Sequence, residues 1–196
     1  VQNGRFVADV LYYYGDHVPN VFPFKDWDPA GVMPGFDYDV TDETIFTQLK
    51  VVNGEIVVPG GISYRVLVLP NHRVLSLTVL EKVKDLLEQG AHIIGYKPDK
   101  MISLTGGTSA QEHFKELSDD IWGTSEEESG ERKYGKGKII WGVSAKNYLF
   151  SLNIPADFSI WENKNETDYD YIHYTVGTTH MYFISNQTGE CRNIMA

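Results

Sequence analysis

The sequence holds one cysteine, Cys191, so it can build neither an intrachain disulfide nor a cysteine-rich zinc site. It lacks any apolar run approaching the roughly 18 residues of a membrane-spanning helix. Cations are scarce too. Seventeen Lys and Arg against 27 Asp and Glu leave a formal charge of −10, which opposes a phosphate backbone, and no basic stripe with interleaved aromatics offsets it. Nucleic acid and membrane are therefore set aside as partners. Catalytic motifs are missing as well. There is no HExxH and no G-x-S-x-G elbow, Gly135-Lys136-Gly137 precedes a strand rather than a helix, and Gly106-Gly107 lacks the lysine context of a phosphate loop. Zincin, serine-hydrolase, dinucleotide and P-loop chemistry go with them, and no cofactor is called for.

What is present is an ordinary globular composition, 42% hydrophobic and 22% charged over 196 residues, long enough for one domain and an appendage. Twelve tyrosines, nine phenylalanines and four tryptophans are the one excess, suited to packing or to sugar rings. The organising stretch is residues 62–95. Its run at 65–69 is continuously aliphatic up to Pro70, as in a parallel strand buried on both faces. Ser76 then caps a helix over 76–89, with Leu75 and Leu80 placed as a hydrophobic staple and Leu77, Leu80, Val83 and Leu87 on one face. Gly90 closes it, and residues 91–95 form the next strand. A strand–helix–strand unit of this kind crosses over right-handed, so both strand ends open on one rim, where open parallel sheets bind ligands.

The remaining elements follow in order. Residues 6–13 predict a central first strand, and 14–35 a long aromatic loop broken by four prolines and two internal glycines. Residues 36–40 predict a second strand. Thr41 is placed to cap a helix over 41–49 whose first turn holds Asp42 and Glu43. Asp37, Asp39, Asp42 and Glu43 could ligate calcium, but their spacing matches no EF-hand loop and no metal is assigned. Asn53-Gly54 between two valine-rich runs predicts a type I′ hairpin over 50–58. A capping box of Ser109 and Glu112 predicts a helix over 109–122, residues 126–138 read as a charged surface loop, and 139–142 as a fifth strand. Helical periodicity stops near Leu149. Residues 169–185 then predict a β-hairpin about Val176-Gly177-Thr178-Thr179. The expected division is an α/β domain over 1–155 and a β-hairpin over 156–196. A hairpin alone is marginal in water, so it is expected either to dock on the α/β domain or to begin a sandwich truncated here.

Five parallel strands in this order resemble the flavodoxin-like domain of class I glutamine amidotransferases. That family carries a cysteine in a tight turn straight after a strand; this chain has Gly95-Tyr96-Lys97-Pro98 there, and Cys191 lies in the tail. Amidotransferase activity is not expected. The blocks VADVLYYYGDHVPN, FDYDVTDE, SYRVLVLPN with LSLTVLEKVKDLLEQGAHIIG, and IHYTVGTTHMYFISNQ together resemble glycoside hydrolase family 106, the α-L-rhamnosidases. The resemblance implies a large bacterial, periplasmic or extracellular enzyme. In it a catalytic (β/α)8 barrel would precede an amidotransferase-like domain, with β-sandwich modules after it. The family's catalytic carboxylates find no counterpart here, so the chain itself is expected to be inactive.

Two roles remain open: an accessory domain that walls the barrel's sugar site, or a purely structural spacer between barrel and sandwich. A degenerate amidotransferase-like domain with another binding role is a further alternative. For the first role the candidate substrate-binding residues are Asp16, His17 and Asn20. They begin the loop leaving the first strand at the ligand rim and bring a carboxylate, an imidazole and an amide suited to sugar hydroxyls, with Tyr14 or Trp27 available for stacking. The alternative for Asp16 and Asn20 is turn hydrogen bonding around Pro19.

Overall fold

The computed structural model of the chain describes residues 4–15, 25–103, 106–124, 127–160 and 168–191. In chain order the strands are β1 Arg5–Val7, β2 Val10–Tyr13, β3 Tyr38–Thr41, β4 Lys50–Val52, β5 Glu55–Val57, β6 Ser63–Tyr64, β7 Val66–Val68, β8 Val74–Leu75, β9 His92–Ile94, β10 Lys100–Met101, β11 Gly130–Tyr134, β12 Gly137–Trp141, β13 Tyr169–Val176 and β14 Thr179–Asn186. The α-helices are α1 Glu43–Phe46, α2 Leu77–Gln89, α3 Gly107–Trp122 and α4 Ala145–Ser151.

The central sheet has six strands in the order β11-β12-β9-β7-β2-β3. All neighbours are parallel except the β11–β12 edge pair. Counted in chain order, the five parallel strands lie 2-1-3-4-5, one of the two common doubly wound arrangements. Residues 126–138, expected as a loop, therefore include a sixth, antiparallel strand. Its burial shows why the sequence hides it: the middle of β11 is exposed and charged, as suits an edge strand.

Alternating side chains of the sheet feed two cores. Leu11, Tyr13, Leu67, Ile93 and Ile139 meet Phe46 and the buried faces of α2 and α3 on one side. Val10, Tyr12, Val66, Val68, Ile94 and Ile140 face the other. The three expected helices thus all cover one face. The second face is covered by α4, which sequence periodicity missed, by Ala30 and Val32 of the long aromatic loop, and by Phe36 just after it. The described part of that loop, residues 25–35, thus helps to cover the second face.

The helix caps sort by local chemistry. Ser76 accepts from Val79 N at 3.2 Å and Gly90, at φ 120°, closes α2 as expected. α1 is a single turn capped by Asp42 rather than Thr41. α3 begins two residues early, at a left-handed Gly106 that makes no side-chain cap, so the Ser109–Glu112 box does not form. Asn53 and Gly54 take φ of 54° and 84°, the paired positive values of a type I′ turn, and β6 joins that hairpin as a third strand.

The expected first strand is in fact two. At Ala8-Asp9 the chain leaves the central sheet, so that β1 pairs antiparallel with β13 in a separate sheet ordered β1-β13-β14. The C-terminal hairpin is therefore docked on the α/β unit through a borrowed strand.

Candidate functional site

The parallel strands end on one rim, where the segments after β7, β9 and β12 surround a depression of about 330 Å³. Asp28, Asn71, Tyr96 and Ser144 bring polar groups to it. None is a poised nucleophile. Both carboxylate oxygens of Asp28 accept from Val32 N at 3.0 Å, and one also from Met33 N at 2.9 Å, which fixes the loop across the second sheet face. Ser144 Oγ accepts from Asn147 N as the cap of α4. At the point where an amidotransferase bears its cysteine, Gly95 stands because a Cβ there would come within 2.7 Å of Leu69 Cβ. Its carbonyl accepts from Trp122 Nε1 at 2.9 Å, which pins the turn to α3. Tyr96 follows, with the Arg73 guanidinium stacked over its ring at 4.8 Å.

The acidic group weighed for calcium disperses into separate tasks. Asp37 pairs with Lys25 at 3.2 Å, Asp39 accepts from Tyr64 hydroxyl at 2.8 Å, Asp42 caps α1, and Glu43 accepts from Ser76 hydroxyl at 3.2 Å. Among the described residues no group of His, Cys, Asp and Glu side chains has the geometry to hold a metal ion.

A second polar cluster joins the hairpin sheet to the α/β unit. Lys25 bridges Asp37 and Asp170, the latter at 2.7 Å, and donates to Tyr171 O at 2.7 Å. Asp37 is 3% exposed, and burial pushes its carboxyl up to about 6 although Lys25 pulls the other way. Further along β13, His173 Nδ1 lies 2.9 Å from Asp157 and its Nε2 2.8 Å from His180 Nδ1 on β14. Tyr182 donates to the second Asp157 oxygen at 3.1 Å and stacks on His173 with ring centres 4.1 Å apart. Burial first and the Asp157 charge second push the Tyr182 hydroxyl up to about 12. A carboxylate, two imidazoles and a phenol thus form a chain running from the inter-sheet seam to the surface. Sequence reasoning passed over it because Asp157 precedes the hairpin and the contact of His173 with His180 crosses the strand pairing diagonally. The hairpin register alone would have paired His173 with Tyr182 and Thr175 with His180.

Of the residues singled out by sequence, Asp16, His17 and Asn20 lie outside the described residues. Tyr14, described at the end of β2, donates its amide to Thr41 O at 2.9 Å. Trp27 is 60% exposed. Sequence reasoning did not select Arg73 on the segment after β7, Lys97 on the segment after β9, or Lys100 at the start of β10.

Comparison with known proteins places these features in a family. The family model described as alpha-L-rhamnosidase, Glyco_hydro_106, matches residues 1–196. A putative beta-glucuronidase of Formosa agariphila is 34% identical over 199 residues, which cover 99% of this chain but 15% of that protein. The solved structure of a rhamnosidase from Novosphingobium sp. PP1Y superposes with a TM-score of 0.78 at 25% identity, over 94% of this chain and 17% of that one. Gan42B, a GH42 beta-galactosidase, shares the fold alone, at TM-score 0.53 and 11% identity over 94% of this chain and 35% of its own. The chain thus spans less than a fifth of the length of the rhamnosidase and the putative glucuronidase. It belongs to glycoside hydrolase family 106, the α-L-rhamnosidase family.

Proposed function

We propose that this chain is a non-catalytic, flavodoxin-like (class I glutamine amidotransferase-like) domain of a longer glycoside hydrolase, supporting and walling a catalytic barrel that lies outside it. The observation that carries this reading is the rim itself. The turn after β9, where such a sheet would hold its nucleophile, is filled by Gly95 packed on Leu69 and by Tyr96 beneath Arg73. The parent's substrate is an α-L-rhamnoside on the family match; the putative glucuronidase relative favours a uronide as the alternative. Its compartment on this reading is periplasmic or extracellular. Asp16, His17 and Asn20 would supply hydroxyl-binding groups, since they follow by three to seven residues the end of β2, a strand whose carboxyl end opens on that rim.

A spacer role has its own support. β13 and β14 turn Ile172, Val176 and Phe183 outward, and β14 has one strand neighbour among the described residues. An exposed apolar sheet face with an open edge suits packing against a following β domain.

The two roles separate in the intact parent enzyme. His17→Ala and Asp16→Ala should each lower kcat/KM for the sugar substrate at unchanged Tm if the rim walls the site. Lost Tm with normal kinetics would assign these residues to scaffolding. The 196-residue chain alone should hydrolyse neither aryl rhamnoside nor glutamine.

A further inference from the structure

A second depression on the same rim, of about 670 Å³, adjoins the first across the stacked pair of Arg73 and Tyr96. Four cations line it, Arg73, Lys97, Lys100 and Lys115, against two carboxylates, Asp99 and Asp119. In a chain of formal charge −10 this is a local reversal of sign. We propose that the groove binds an oxyanion-bearing sugar unit, a uronate or a sulfate ester, within a polysaccharide; the inference rests on the reading of the rim as sugar-facing.

The cations divide by environment. Lys97 is already committed, 2.5 Å from Asp119 and donating to Gly123 O at 2.7 Å, so it and Asp119 form the groove's wall. Arg73, Lys100 and Lys115 have no carboxylate within ion-pair distance among the described residues. Arg73 is held in place twice. Its guanidinium carbon stands 4.8 Å from the centre of the Tyr96 ring, a cation–π contact that consumes none of its N–H donors. Its backbone sits at φ 53°, in the left-handed region that is costly for a side-chain-bearing residue, so the local fold fixes where the side chain starts. The Arg73 carbonyl accepts from Asp99 N at 3.0 Å and Lys100 N at 3.4 Å. Immediately beyond, β8 and β10 form a two-residue parallel ladder that pairs Lys100 with Val74. That ladder lies apart from the central sheet; its effect is to hold Arg73 and Lys100 side by side.

Size and lining point to a sugar rather than a free ion. About 670 Å³ is within the range of small-molecule sites and far exceeds what a lone sulfate fills. Met101 and Phe114 contribute apolar surface for a pyranose face, and Gln111 an amide for its hydroxyls.

The test is calorimetric titration of the 196-residue chain with four probes: tetragalacturonate, a sulfated galactose tetrasaccharide, neutral galactotetraose and inorganic sulfate. The expected result is binding of one or both charged tetrasaccharides, at least tenfold tighter than galactotetraose or sulfate and weakened by added NaCl. The double variant Arg73→Gln/Lys100→Gln should lose at least tenfold of that affinity with an unchanged Tm. Absence of binding, equal binding of the neutral probe or of sulfate, or an unaffected double variant would each overturn the assignment. Because no turnover is read, failure of the groove is distinguishable from failure of the rim reading: a null titration beside a catalytic defect in His17→Ala discards the groove and keeps the wall.

Discussion

The central sheet and the hairpin sheet are built on opposite terms. In the first, β7 and β9 are almost wholly apolar and buried on both faces, and their partners are chosen by burial. In the second, β13 alternates between a buried face of Tyr169, Tyr171 and His173 and an open one, and the strand is held by polar links through Lys25, Asp37, Asp157 and Asp170. The first can exist wherever its side chains escape water. The second has an orientation because donors must meet acceptors, which fixes how the hairpin sits on the α/β unit.

The largest test of that contrast is Leu67→Ala. Leu67 is fully buried in β7 between β2 and β9, and its truncation should cost about 3 to 4 kcal/mol, as for other buried leucines. Urea denaturation followed by hydrogen exchange would check it. If β13 amides lose as much protection as β7 amides, the hairpin has no stability apart from the sheet; a smaller loss would make it an independent unit.

Asp37→Asn tests the polar joint. The folded carboxyl is raised from 3.8 to about 6, so its contribution is fully present below pH 4 and lost as pH rises through 6. The variant should therefore gain on the native chain between pH 4 and 7, by up to about 3 kcal/mol at 1.36 kcal/mol per unit. Parallel Tm profiles of the two proteins would mean that Lys25 fully offsets the burial of Asp37.

The smallest effect is expected at Phe183→Ser, on the open face and 49% exposed. Stability of this chain should change by less than about 0.5 kcal/mol, measured by the same denaturation. A larger loss would move the hairpin's stability to its outer face and erase the contrast with the sheet.

Legibility in the sequence followed the same division. The unit from β7 through α2 to β9 could be read residue by residue, because Ser76, Gly90 and the aliphatic runs act on their immediate neighbours. The Asn53-Gly54 turn was legible for the same reason. β11 escaped because an exposed edge strand carries charges like a loop, and α4 because seven residues hold too little periodicity. At the rim, the lack of a nucleophile after β9 was visible in Gly95-Tyr96, whereas the convergence of Arg73 with Lys100 depends on a ladder of two residues with no sequence signal.

Sequence alone determined the class of fold, the parallel core and the family, since continuous apolar runs, caps and turn residues are local physics repeated along the chain. Only the tertiary structure decided which face the aromatic loop covers, that the first strand breaks at Ala8-Asp9 to recruit the hairpin, and that Asp157, His173 and His180 meet. Those choices depend on contacts between residues distant in the chain, where burial and hydrogen-bond geometry select the partner and no short stretch of sequence records it.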